Sequence, residues 1–144
     1  MYCPNHFRQP DAAAIHELIR TCPLATLGGK DTGGMNVYVR DLTCELGRLG
    51  IHVDVFTRSQ DVRIKRISTR LGNAVRVIHL PAGPEQPYNK NEIYHHLPQF
   101  VDGVRRFAAS EGITYDVLHS HYWLSALAAH QLRRQLDVLH HVLG

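Results

Sequence analysis

The sequence predicts an α/β fold in which a parallel sheet carries helices on both faces. Short β-like runs alternate with longer helical runs along the 144 residues, and this alternation is typical of parallel strands joined by helices. The length suits one domain, and 44% hydrophobic with 20% charged residues is ordinary for a globular protein. No apolar run approaches the ~20 residues that cross a bilayer, so the sequence predicts no transmembrane segment.

Apolar spacing defines the elements of the first half. Residues that recur at three- and four-residue steps predict a helix over Val37–Leu49, with Leu49 itself on the inner face. Alternation of apolar and polar residues then predicts a strand over Ile51–Thr57, and a further strand follows over Val75–Leu80. Three prolines and a glycine in Pro81–Asn89 predict a loop after that strand.

The second half continues the same alternation. A helix is predicted from about Asn91 to Ser110, with a kink or a split at Pro98 because proline lacks the backbone donor that a helix interior needs. Val117–His119 has the composition of a short buried strand, and Leu124–Leu136 has helical spacing. Val138–Leu143 is predicted to be one more strand.

The start of the chain fits two structures. Ala12–Arg20 has helical composition, whereas a doubly wound sheet usually opens with a strand, which Ile15–Thr21 could supply. His16, Glu17 and Arg20 are unusual in a central buried strand. The sequence leaves both assignments open.

Positive charge is concentrated in one short segment. The net charge is +3 with a pI near 8.9, a mild excess that does not indicate nucleic-acid binding. The concentrated cations are Arg58, Arg63, Lys65, Arg66 and Arg70. They could form a patch for phosphates or an acidic membrane surface, but the favoured interpretation is the solvated, charged face of a strand or loop.

A glycine-rich segment precedes the first predicted helix. Two Gly-Gly pairs lie between Pro23 and Asn36, and glycine lets a backbone approach a ligand closely. The second pair, Gly33 and Gly34, lies where the free N–H groups and the dipole of the helix attract an anion. A phosphate site is therefore predicted there, although the segment matches neither the dinucleotide-binding nor the P-loop pattern.

A second polar constellation follows the strand at Val117–His119. Its residues include His119, His121, Tyr122 and Trp123, and the carboxyl ends of parallel strands are where α/β sheets bind ligands. We expect His119 and His121 to point to opposite sides, so that one histidine faces the cleft and the other packs inside, with His121 as the candidate functional one. No metal site is predicted.

Several ordered motifs together resemble the retaining GT-B glycosyltransferases of family 4. The nearest branch holds D-inositol-3-phosphate glycosyltransferase, sucrose-phosphate synthase and sucrose synthase. The resemblance runs from about Thr21 to Arg134. The motifs that carry it are Pro23-Leu24-Ala25, Gly-Gly-Met-Asn-Val-Tyr-Val at 33–39, Val-Asp-Val-Phe-Thr-Arg at 53–58, His-Leu-Pro-Ala-Gly-Pro at 79–84, Lys90, and His-Ser-His-Tyr-Trp-Leu-Ser at 119–125.

This resemblance implies a Rossmann-like domain that forms the N-terminal, acceptor-side half of a GT-B fold. It implies transfer of a sugar from a nucleotide-sugar donor to a phosphorylated polyol or sugar acceptor, with no cofactor. By resemblance, Gly33 and Gly34 lie against the donor phosphate and sugar, and His121 is the catalytic histidine. Asn36, Lys90 and Tyr122 bind the acceptor.

Some departures from the family limit what the chain is expected to do. Leu18 and Arg20 stand where the family usually has Ser and His. Residues 1–144 are expected to be the acceptor-side domain, incomplete at its C-terminal end and inactive alone, because the family's donor-binding domain would follow. The alternative is a free-standing, non-catalytic domain that binds phosphorylated small molecules or a partner chain. A cytoplasmic location and self-association through the surface that would face a second domain complete the expectations.

Overall fold

A six-stranded sheet is the centre of the computed structural model, which describes residues 16–20, 34–86, 90–136 and 139–143. Side chains are described for 38–86, 92–120 and 123–135. In chain order the elements are β1 (His16–Arg20), α1 (Gly34–Arg48), β2 (His52–Arg58), β3 (Ile67–Ser68), β4 (Val75–Leu80), α2 (Lys90–Ile93), a 3-10 turn (Tyr94–His96), α3 (Leu97–Glu111), β5 (Val117–His121), α4 (Tyr122–Leu136) and β6 (Leu139–Leu143).

The strand order is β3-β4-β2-β1-β5-β6. Every neighbouring pair is parallel except β3, which runs antiparallel to β4 at one edge. After β1, the chain adds β2 and β4 on one side of it and then passes to the other side to form β5 and β6. The direction in which strands are added therefore reverses between β1 and β5. In open α/β sheets such a reversal forms a crevice at the carboxyl ends of the strands. The predicted parallel α/β fold is confirmed.

The open assignment at the start of the chain is settled in favour of a strand. β1 pairs with β2 on one side and β5 on the other, with Ile19 level with both Val55 and His119. A helix over residues 16–20 is therefore wrong. Composition was a poor guide here because the two hydrogen-bonded ladders that fix β1 come from strands far along the chain.

Helix α1 covers one face of the sheet. Val39 is buried against the valines of β2 and β4. Leu49 does not join them as predicted, because α1 ends at Arg48 and Leu49 lies in the following turn with 68% of its surface exposed. Gly50 then takes a left-handed conformation with φ of +83°, which is the usual way for a helix to end.

Helices α3 and α4 cover the opposite face around a larger core. Phe56 of β2 and Ile78 of β4 alternate with the residues that face α1, and they pack with Leu118 of β5 in this second cluster. The predicted break near Pro98 is confirmed as a split into α2, the 3-10 turn and α3. Pro98 stands in the first turn of α3, where its missing N–H would have no helical partner in any case.

A polar network joins the amino ends of β2 and β4 to the end of α3 and the segment that follows it. Asp54 is 4% exposed and accepts two hydrogen bonds of 2.8 Å from the Nε and Nη2 of Arg76. The Tyr115 hydroxyl donates a third at 2.6 Å. Burial, with the nearby Asp54 charge, raises the pKa of Tyr115, so this hydroxyl stays protonated and donates. Arg76 also reaches Glu111 at 3.2 Å.

We predict that Arg76→Met lowers the free energy of unfolding by about 3 kcal/mol, because it leaves the buried Asp54 carboxylate without its cation. Arg105→Met is the matched control, since Arg105 pairs with Asp102 on the surface, where an ion pair contributes about 0–1 kcal/mol. Urea denaturation of both variants measures the difference. Equal midpoints would contradict a structural role for the Asp54 network.

Candidate functional site

Two helices begin at the carboxyl edge of the sheet, on either side of the reversal in strand order. α1 must start at this edge, because its last residue, Arg48, is only four residues from the start of β2 at the opposite edge. α4 starts at Tyr122, directly after His121 ends β5. Gly34 is the first residue of α1. Both helix starts therefore lie at the carboxyl edge of the sheet, and the free N–H groups of a helix start favour an anion.

The acceptor-side residues predicted from the resemblance lie on three helix starts. Asn36 is the third residue of α1, Lys90 is the first residue of α2, and Tyr122 is the first residue of α4. Lys90 follows the loop that leaves the carboxyl end of β4, so all three backbones lie on the carboxyl side of the sheet. Gly33 lies outside the described residues. The roles of these residues remain predictions.

The two histidines of β5 do not separate as expected. Both His119 and His121 lie in the strand Val117–His121, and strand positions two residues apart share a face of the sheet. Positions 119 and 121 are therefore not on opposite sides of the sheet, and that part of the expectation is wrong. His119 is buried with 8% exposure, and position 121 is one step closer to the crevice.

Arg58 does not belong to the solvated, charged face that the sequence predicts for this segment. It is completely buried at the carboxyl end of β2. Its Nε donates to the Ala82 carbonyl at 2.7 Å and its Nη1 to the Gln86 carbonyl at 3.0 Å. Its Nη2 donates to the Pro84 carbonyl. The only sequence signal for this arrangement was that Arg58 ends an alternating strand, since its acceptors are backbone atoms of a distant loop.

The same loop is also fixed from the side of α3. The Gly83 N–H donates to Oε1 of Gln99 at 2.8 Å. Gly83 has a φ of +70°, and a Cβ there would come within 2.5 Å of the His96 ring. Only glycine therefore fits between the loop and the 3-10 turn.

The remaining cations of the basic cluster behave as the favoured interpretation predicted. Arg63 is exposed and pairs with Asp61 at 2.6 Å, and hydrogen bonds from Arg63 lower the pKa of Asp61 to about 2. Arg66 pairs with Glu85 of the loop. This pairing, more than the charge of Arg58, holds the pKa of Glu85 below its usual range. Most of the segment is a solvated surface.

His79 is a buried histidine with an unsatisfied nitrogen. It lies on β4 beside Thr57 of β2, and its Nδ1 is buried with no hydrogen-bond partner among the described residues. Burial, helped by the charge of Arg66, lowers the pKa of His79, so the ring is neutral near pH 7. An unsatisfied buried polar atom costs about 1–3 kcal/mol of stability. An apolar ring at this position would avoid that cost.

The comparisons with known proteins agree on one family. Residues 33–143 match the family described as "Glycosyl transferase 4-like domain", and the chain belongs to this family. A D-inositol 3-phosphate glycosyltransferase from Corynebacterium urealyticum is 42% identical over 115 residues, which are 80% of this chain and 27% of the relative. The enzyme of the same name from Saccharomonospora viridis is 43% identical over 108 residues, 74% of this chain and 25% of the relative.

A solved structure shows the same architecture. Sucrose-phosphate synthase from Thermosynechococcus elongatus matches with a TM-score of 0.74 and 33% identity over 88% of this chain and 32% of that chain. The fold is thus that of a GT-B glycosyltransferase domain, and the chain spans about a quarter to a third of the length of these relatives. Among the described residues, no helix is long and apolar enough to cross a membrane.

We predict that His79→Phe removes part of the acid sensitivity of the fold. Because the folded-state pKa of His79 lies below its ordinary value of 6.5, the unfolded chain takes up the proton first as the pH falls. The free energy of unfolding therefore falls as the pH drops from the pKa of His79 in the unfolded chain to its lower pKa in the folded chain. The variant lacks this loss, and at neutral pH its free energy of unfolding is unchanged or higher by up to about 2 kcal/mol.

Urea midpoints between about pH 7.5 and 5 test this, with the exposed His130 changed to Phe as the control. If His79→Phe and His130→Phe lose stability with the same pH profile as the wild type, His79 is not held neutral by the fold.

Proposed function

We propose that this chain is the acceptor-side domain of a retaining glycosyltransferase. The reaction moves a sugar from a nucleotide-sugar donor to a phosphorylated polyol or sugar. The observation that carries the proposal is the placement of two helix starts, those of α1 and α4, on either side of the strand-order reversal at the carboxyl edge. The names of the relatives, D-inositol 3-phosphate glycosyltransferase and sucrose-phosphate synthase, support a phosphorylated acceptor or product.

Both substrates of such a reaction carry phosphate, and the edge is suited to phosphate. Helix starts offer oriented N–H donors and partial positive charge without the entropy cost of ordering long side chains. We assign Gly33 and Gly34 to the donor phosphate and sugar, since a glycine backbone lets the sugar approach closely. The lysine at the start of α2, Lys90, supplies a full charge for the acceptor phosphate, and Asn36 and Tyr122 supply hydrogen-bonding groups to the acceptor.

The chemistry required of the protein is electrostatic. As the bond from the sugar to the nucleotide diphosphate breaks, negative charge grows on the departing phosphate, and preoriented N–H donors stabilise that charge without reorganisation. Position 121 is at the carboxyl end of β5, beside the start of α4. We assign His121 to the sugar being transferred, where an imidazole can hydrogen-bond a sugar hydroxyl.

We predict that the chain binds phosphate through Asn36 and Lys90. Titration with inorganic phosphate should shift the backbone amide signals of Gly34, Asn36 and Lys90 in NMR spectra, with a dissociation constant in the millimolar range, about 4 kcal/mol. Lys90→Ala should abolish the shifts, because a charge-assisted hydrogen bond contributes about 1.5–3 kcal/mol. Lys65→Ala, which removes an exposed lysine elsewhere, should leave them intact. Unchanged signals up to tens of millimolar phosphate would remove the phosphorylated acceptor from the proposal.

We also predict that the 144-residue chain does not complete glycosyl transfer alone. The residues that match it make up 27% of a D-inositol 3-phosphate glycosyltransferase, and we infer that much of the donor site of such an enzyme lies in the remainder. The test is a product assay with nucleotide sugars and D-inositol 3-phosphate, in which that relative serves as the positive control. Product formed by the purified chain would contradict this prediction.

A further inference from the structure

The burial of Arg58 calls for an explanation beyond folding. It is the largest of the fully buried side chains among the described residues, and a charged group is costly to bury unless hydrogen bonds satisfy it. Its guanidinium meets this need with the carbonyls of Ala82, Pro84 and Gln86. These are alternate residues of one loop, so a single side chain fixes the path of five consecutive residues.

The shape of the guanidinium makes this a rigid connection. Arginine presents five N–H donors in one plane at fixed angles, and three acceptors can meet three of those nitrogens only in a narrow range of loop conformations. Gln99 holds the opposite side of the loop through the Gly83 N–H at 2.8 Å. The loop is therefore fixed to both β2 and α3.

The loop leads directly to Lys90. Gln86, the last of the three acceptors, is four residues before Lys90. On the far side of Lys90, Ile93 and Leu97 are buried with 1% and 2% exposure. The backbone at Lys90 thus lies between one anchor made by Arg58 and another made by the core.

We propose that Arg58 is a positioning residue for the acceptor-phosphate site. It touches no ligand. It holds the loop from 82 to 86 so that the start of α2, and with it Lys90, lies at the carboxyl edge. This inference rests on the proposed function, because it takes Lys90 as the residue that meets the phosphate of a phosphorylated acceptor.

The first experiment compares Arg58→Lys with Arg70→Lys, a matched change at an exposed arginine of the same segment. Lysine keeps the charge but lacks the planar fork, so the loop loses its single conformation. If Lys90 is in place for about a tenth of the time, the apparent dissociation constant for inorganic phosphate rises about tenfold. The Asn36 amide, which the loop does not hold, should still shift at high phosphate. Arg70→Lys should bind phosphate as the wild type does.

The second experiment uses the wild-type chain and does not depend on the folding of a variant. Coupling between two sites is reciprocal, so phosphate bound at Lys90 must stabilise the contacts that Arg58 makes with the loop. Hydrogen exchange of the Arg58 Nε–H, followed by NMR, should slow when phosphate is added. In Lys90→Ala, which leaves Arg58 and the loop intact, phosphate should have no effect on this exchange.

The outcomes separate this inference from the proposed function. If phosphate shifts the Lys90 amide equally in the wild type and in Arg58→Lys, and leaves the Arg58 Nε–H exchange unchanged, the positioning role is wrong while the phosphate site stands. If phosphate shifts no amide near Gly34, Asn36 or Lys90 in the wild type, both are wrong. A tenfold weaker affinity together with slower exchange in the wild type alone supports the positioning role.

Discussion

The position of β1 between β2 and β5 determines where the helices of this fold begin. Two parallel strands cannot be joined by a tight turn. The chain must run back from the carboxyl edge to the amino edge before the next strand begins, and most of these connections are helical. β1 has β2, the next strand in the chain, on one side and the later strand β5 on the other. The connection after β1 and the connection after β5 therefore leave the carboxyl edge in opposite directions. The helix starts of α1 and α4 are separated at that edge for this reason, and open α/β sheets bind ligands at such a point.

The two ends of the strand β2 carry different buried polar contacts. Asp54, near its beginning, anchors the network with Arg76 and Tyr115. Arg58, at its end, holds the loop that leads to α2. The two residues are four positions apart on the strand, roughly 13 Å. Buried polar contacts thus fix both ends of β2, one to Arg76 and Tyr115 and the other to the loop after β4.

The sequence predicted those features that local spacing determines. The strand over Val75–Leu80 and the split near Pro98 follow from alternation and from the chemistry of proline, and both are confirmed. β1 could not be decided, because its ladders come from residues about 35 and 100 positions further along. The two-residue edge strand β3 is too short to show a pattern.

The candidate site was predictable only in part, for a related reason. A glycine pair directly before a helical run indicates where the helix begins, so the position of Gly34 at the start of α1 could be found from the sequence alone. Arg58 could not, because its partners are backbone carbonyls 24 to 28 residues away, and backbone atoms leave no signature in a sequence. The roles of Asn36, Lys90, His121 and Tyr122 came from family resemblance, and the structure adds their common location on the carboxyl side of the sheet.

The anion site proposed at the carboxyl edge, where the strand order reverses, can be located by crystallography. A crystal of the chain is soaked in selenate, a phosphate-like anion, and anomalous data are collected at the selenium edge. We expect a peak within hydrogen-bonding distance of the first turn of α1 and of Lys90. Peaks confined to the exposed cations between Arg63 and Arg70, or to the opposite edge of the sheet, would contradict it.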